Sequence, residues 1–242
     1  MRFSSLILAA VICVSAQTAQ GARGLASPAC ALPPGLAPAP VLTPRPDEVV
    51  SGVTTAYYLL AISWTPQWCR TLGQKGTEQQ VECGQPLGFT LHGLWPNGAA
   101  PPYPRYCRPV GGLDAGLVRR MYCRTPSAEL LQHEWQAHGA CAWRDARAYF
   151  ADSARLFDRV TLPKVEAIPA ADLTAGAVRA AFIAKNPGLR RETVFVATTR
   201  GDDLTEVRLC YDLKYKPAAC PGGNGAPDGT RIHIAPSHTG GF

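Results

Sequence analysis

From Ala56 to Ile62 the chain is apolar without interruption, inside the longer stretch TTAYYLLAISW that spans Thr54 to Trp64. Rich in β-branched and aromatic residues and lacking polar alternation, it predicts a strand covered on both faces. Gly88 to Trp95 predicts a second strand, ended by the turn signal Pro96-Asn97-Gly98. Shorter runs at Thr193–Thr199, Leu204–Tyr211 and Arg231–Ala235 predict three more. Between them the pattern turns helical. One helix is expected from a Thr125 cap, with Pro126 in its first turn, to about His138, where Gly139 stops it. Asp145 caps a second through about Val160, and a third covers Asp172 to Lys185, ended by Asn186-Pro187-Gly188. Strands and helices mix without regular βαβ alternation. The expected class is therefore α+β, a largely antiparallel sheet with helices packed on it.

The beginning of the chain departs from this pattern. Met1 to about Gly21 joins a positive Arg2, an apolar Leu6–Val14 core and small residues Ala16, Ala19 and Gly21, which reads as a secretory signal peptide. The apolar core is too short to span a bilayer and no later segment qualifies, so no stable membrane association is expected. Residues 22–47 include the Pro/Ala-rich stretch PACALPPGLAPAPVLTPRP and predict an extended segment that Cys30 can tie to the body. A single domain is expected over residues 48–242, in a monomer that is secreted or periplasmic.

Composition adds two constraints. A chain of 242 residues, 46% hydrophobic and 17% charged, has enough apolar material for a proper core. A net charge of +6 suits polyanionic partners such as nucleic acid, and equally fits a mildly basic solvated surface. Removal of a signal peptide takes Cys13 away and leaves Cys30, Cys69, Cys83, Cys107, Cys123, Cys141, Cys210 and Cys220. In an exported protein this even set implies up to four disulfides, whose connectivity spacing does not fix. No Cys-x-x-Cys pair is present, which disfavours a zinc ribbon.

Histidine is the side chain best suited to proton transfer near neutral pH, and there are only five. His233 and His238 sit in no motif and read as structural or exposed. His133 and His138 belong to HEWQAHG, a near miss of the zinc-protease pattern His-Glu-x-x-His. On an α-helix, five positions leave the two rings about 140° apart, so they are not expected to share a metal. Glu134 and His138, four apart, share a face, where the carboxylate would raise the imidazole pKa. Trp135 points away as a buried anchor. His92 is expected at a strand end beside an open loop. Two imidazoles, one neutral and one charged, suit in-line transphosphorylation of RNA, because the ribose 2′-hydroxyl is an internal nucleophile and no metal or other cofactor is required.

FTLHGLWPN and HEWQAHGAC resemble the two active-site segments of the ribonuclease T2 family, the secreted acid ribonucleases, in the manner of a bacterial-type member. The resemblance extends to YYLLAISWTPQWC, YPRYC and VRLCYDLKYKPAACP, covering roughly Thr54 to Pro221. It implies His92 as general acid, His138 as base, His133 as the phosphate-binding histidine, and Glu134 as the carboxylate supporting base or transition state. It places Trp95 and Tyr103 against the substrate base, and Asn97 where many members carry a base-pocket aspartate. It implies bridges Cys107–Cys141 and Cys210–Cys220, leaving Cys69, Cys83, Cys30 and Cys123, with Cys69–Cys83 favoured. One departure stands out: Ala137 occupies the position of a lysine that would place positive charge on the transition state. Arg105, Arg120, Arg124 and Arg144 are near in sequence, with no spacing that assigns any of them to the site. The resemblance thus implies an endoribonuclease for single-stranded RNA. Its rivals are an RNA-binding or toxin-like protein impaired at Ala137 and, disfavoured by spacing, a zinc hydrolase.

Overall fold

The computed structural model describes residues 30–72 and 82–237. The signal-peptide stretch and His238 lie outside them. Strand β1 (Tyr57–Trp64) is central because both of its faces are apolar. On one face Leu60, Ile62 and Trp64 enter the main core; on the other Tyr57, Leu59 and Ala61 cluster with Cys210. It lies between β2 (Phe89–Asn97) and β4 (Leu204–Tyr211), and β3 (Val194–Thr198) completes an antiparallel sheet of order β2-β1-β4-β3. β2 runs two residues past the expected end. Pro96 sits within the strand opposite Tyr58, a placement that an edge strand tolerates because no neighbour needs its missing N–H. Arg231–Ala235 is not a strand; only single bridges, Thr174 with Arg231 and Asp203 with His233, form there.

Helices cover the main-core face. α1 (Thr65–Leu72) follows β1 without a loop, and α2 (Ala115–Met121) starts where Asp114 accepts the Leu117 N–H at 2.8 Å. Neither was expected. α3 (Ala128–Glu134) begins three residues beyond the expected cap. Ser127 accepts the Leu130 N–H at 3.1 Å, while Thr125 donates to the Leu91 carbonyl at 2.8 Å. The helix does not stop at Gly139: Trp135–Gly139 form a π turn and Ala140–Ala142 a last α turn. Gly139 is there for packing, since a Cβ would lie 2.5 Å from the Trp135 ring and 2.8 Å from that of Tyr149. α4 (Ala146–Phe157) is capped by Asp145, and α5 (Ala175–Lys185), expected from Asp172, starts three residues later under a Thr174 cap.

The Pro/Ala-rich segment has no regular secondary structure from residue 36 to 45 and is fastened to the body by a disulfide and a side-chain clamp. Cys30 is bonded to Cys123, and Gln136 clamps Leu42 by accepting its N–H (3.0 Å) and donating to its carbonyl (2.7 Å). Cys69–Cys83, Cys107–Cys141 and Cys210–Cys220 complete four disulfides. Among the described residues no helix is long and apolar enough to cross a membrane.

Candidate active site

The site begins with one extra residue in β2. Gly93 pairs with Ala61 and Leu91 with Ile62, so His92 is the unpaired residue of a β-bulge. His92 is therefore in mid-strand, not at a strand end. The bulge resets the alternation, so that Leu91 and Leu94 both enter the main core. His92 and Trp95 are left together on the other side, their rings 5.1 Å apart and nearly perpendicular. The next residue has to be glycine. A Cβ on Gly93 would fall 1.8 Å from Oε2 of Glu134, which reaches over this backbone from the end of α3.

Two carboxylates grip His92. Its Nδ1 lies 2.7 Å from Glu206 and its Nε2 lies 3.4 Å from Glu134. Glu206 stands opposite Ser63 across the β4–β1 ladder, and Ser63 Oγ sits within 3.4 Å of both His92 Nδ1 and Glu206. Arg208, two residues on and thus on the same face of β4, pairs with Glu206 and lies over the Trp95 ring at 5.1 Å. Burial opposes a charge on His92, yet the hydrogen bond to Glu206 and the charges of Glu134 and Glu206 outweigh it and push its pKa up to about 9. Burial pushes Glu134 up to about 7, against the pull of His92 and of the Trp95 indole N–H, which donates to it at 2.8 Å.

Glu134 and His138 do not form the pair that an α-helix would make. The π turn carries about one extra residue per turn, which brings His138 round toward His133; Glu134 stays within 4.8 Å of His138 but turns its carboxylate to His92 and Trp95. His138 instead stacks on Trp95, with ring centroids 5.1 Å apart and planes 29° apart, and its Nδ1 is buried with no hydrogen-bond partner among the described residues. Its pKa moves opposite to the sequence expectation. Burial first, then the charges of His133, His92 and Arg105, hold it well below the ordinary histidine value. His133, half-buried, is lowered by burial and by Arg105 and His92; its Nδ1 is 3.2 Å from the Tyr106 hydroxyl. The π turn also removes the objection to a shared ion: donor atoms of His133, Glu134 and His138 lie within 4.8 Å of one another.

Two cavities flank this centre. His92, His133 and Ser63 line one of about 410 Å³, with Leu42 of the N-terminal segment and the exposed Trp68 on its walls. On the other side Trp95, Asn97, Tyr103, Tyr57, Phe195 and Arg208 line one of about 160 Å³. Asn97 is buried there and Tyr103 stands at its exposed edge. His233 is exposed, its Nδ1 3.2 Å from the Gly201 carbonyl, and plays no part in the site.

Sequence reasoning brought together His92, Glu134, His138, His133 and Trp95, but missed Glu206, Arg208, Ser63 and Tyr106. A signal for the first two was present: charges two apart in an otherwise apolar strand, LTEVRLCY, share one face that must be partnered.

A model of the ribonuclease T2 family matches residues 55–174. A probable ribonuclease of Haemophilus influenzae is 32% identical over 176 residues, 68% of this chain and 60% of that protein. A ribonuclease of Aeromonas hydrophila is 37% identical over 86 residues, 36% of this chain and 37% of that protein. The chain thus spans about 60% and about 37% of the lengths of these two relatives. Trichomaglin, an S-like ribonuclease, shares the fold with a TM-score of 0.59 at 19% identity, over 76% of this chain and 98% of its own. RNase NT, solved in complex with 5′-AMP, does so with a TM-score of 0.53 at 21% identity, over 76% and 99%. Matched along both histidine segments, the chain belongs to the ribonuclease T2 family.

Proposed function

We propose that the protein is an exported, monomeric endoribonuclease that cleaves single-stranded RNA without a metal ion, first to a 2′,3′-cyclic phosphate and then to a 3′-phosphate. The observation that carries this reading is the opposite environment of two imidazoles placed against one tryptophan. His92, held between two carboxylates, is an imidazolium at neutral pH; His138, buried beside other cationic groups, is neutral.

In the first step neutral His138 takes the 2′-hydroxyl proton, the oxygen attacks phosphorus, and His92 protonates the departing 5′-oxygen. In the second, the now neutral His92 takes a proton from water and the protonated His138 returns one to the 2′-oxygen, restoring both. Glu134 keeps His92 charged and accepts the Trp95 N–H, which fixes the plane on which His138 stacks. His133 faces the larger cavity with His92 and serves the phosphate. Trp95 and Tyr103 offer flat faces to a base, and Asn97 its amide edge. The expected signal peptide and four disulfides support export to the periplasm or medium.

The dependence of kcat/KM on pH tests the assignment. The rate should rise as His138 loses its proton, at a pH well below the ordinary histidine value. It should fall as His92 loses its own near pH 9. Glu206→Gln removes a carboxylate that stabilises the imidazolium, so the descending limb should move about 1–3 units toward lower pH while the ascending limb stays. A profile without limbs, or a descending limb that Glu206→Gln leaves in place, overturns the assignment of His92 as the acid.

A further inference from the structure

We propose that Arg105 binds the scissile phosphate through its guanidinium and supplies the positive charge that Ala137 lacks. This rests on reading the site as a phosphodiester-cleaving centre. The transition state of that reaction carries one more negative charge than the substrate, spread over the phosphoryl oxygens. The centre holds one imidazolium, two imidazoles that are neutral, and the acidic Glu134 and Glu206. A further cation is needed, and residue 137 is a fully buried alanine.

Other arginines near the site in sequence or space are engaged elsewhere. Arg208 is paired with Glu206, Arg124 with Asp158 (2.6 Å) and Arg144 with Asp145 (3.4 Å). Arg108 donates to the carbonyls of Trp143 and Arg144, and Arg120 is exposed on α2. Arg105 makes no ion pair within 4.0 Å among the described residues, and its Nε is buried without a hydrogen-bond partner. Among the described residues the carboxylate outside the centre that senses it, Glu48, is already paired with Arg45 at 3.4 Å.

The loop carrying Arg105 is pinned to the catalytic helix at Ala137 itself. The Tyr106 N–H donates to the Ala137 carbonyl at 2.9 Å, with Tyr106 in the left-handed region at φ 50°. The Tyr106 hydroxyl meets His133, and the neighbouring Cys107 is bonded to Cys141. On the other side Arg105 exchanges both backbone hydrogen bonds with Val50, each 2.9 Å. Its guanidinium lies over the Tyr106 ring, 5.4 Å from the centroid. Among the described Arg and Lys side chains, Arg105 is the one whose charge bears on His133, Glu134 and His138 alike. A guanidinium presents paired donors to two phosphoryl oxygens, which a lysine does not.

The test is steady-state cleavage of a DNA oligonucleotide carrying a single ribonucleotide, by wild type, Arg105→Gln, Arg105→Lys and His138→Ala, with thermal unfolding of each. Arg105→Gln should keep its fold and lose about 10²–10³ in kcat, with a smaller change in KM. The groups facing His138 are His133, Glu134, His92 and Arg105. Removing the arginine takes away one cation, so the ascending limb should move to higher pH, a change that a merely structural role would not produce. Arg105→Lys should keep that limb and lose about tenfold in kcat, the loss of one charge-assisted hydrogen bond. A folded Arg105→Gln with wild-type kcat and limb overturns the proposal. Should that variant unfold, a wild-type kcat in Arg105→Lys does the same. Full activity in His138→Ala would instead remove the reading on which the proposal rests.

Discussion

His138→Ala is expected to lower kcat/KM on an RNA oligonucleotide by about 10²–10⁴-fold, and His92→Ala by a similar factor. Each removes one half of a proton exchange. Without His138 the 2′-hydroxyl loses the neutral base stacked on Trp95; without His92 the 5′-oxygen leaves as an alkoxide. The two act in the same step, so the double variant should fall far short of the product of the single losses. Both variants should fold, because His92 and His138 are only partly buried and belong to no part of the main core. Wild-type activity in either one removes the acid–base scheme.

Gly93→Ala should be nearly as damaging, though no atom of Gly93 need touch substrate. The new methyl would sit 1.8 Å from Oε2 and 2.7 Å from Cδ of Glu134, and 2.9 Å from Nε1 of Trp95. Glu134 is 1% exposed and held by the Trp95 N–H at 2.8 Å. Either it leaves His92 and Trp95 or the bulge rearranges. Overpacking of this kind costs about 1–3 kcal/mol, and each kcal/mol lowers Tm by roughly 2–4 °C in a chain of this size. Activity should fall by about 10² or more, as the plane under His138 and one of the carboxylates holding His92 are disturbed together. A variant with unshifted Tm and full kcat would show that Glu134 does not occupy this position.

What the sequence made legible was whatever depends on near neighbours or on burial on both faces. β1 could be read because its apolar run is continuous, and α4 because Asp145 caps it. The route from Ala128 to Ala142 was legible as helix but not in its winding. The π turn packs Gly139 and Trp135 against Tyr149, which belongs to another helix. That one inserted residue reverses two inferences. Glu134 pairs with His92 instead of His138, and His133 and His138 come within reach of each other. The partner Glu134 finds instead, His92, is placed by a bulge that shows only in the ladder register. Glu206 lies 114 residues from His92, so its role belongs to the sheet order β2-β1-β4. Arg231–Ala235 shows the converse failure: Ile232 and Ile234 alternate with polar neighbours as in a strand, but only isolated bridges form.

The two halves of the site thus come from parts of the chain that folding joins: an imidazolium made by β2 and β4, and a neutral imidazole made by the π turn of α3. Ala137, the departure from the family pattern, sits where Tyr106 fastens the Arg105 loop, which gives the missing lysine a physical replacement.

The central claim is that these imidazoles suffice for RNA cleavage without an ion, although His133, Glu134 and His138 are close enough together to hold one. The most direct test is to digest a defined RNA oligonucleotide in excess EDTA and weigh the product ends by mass spectrometry. The account predicts undiminished cleavage, with 2′,3′-cyclic phosphate ends appearing first and converting to 3′-phosphates. Loss of activity in EDTA that Zn²⁺ restores, or products bearing 5′-phosphates, would contradict it.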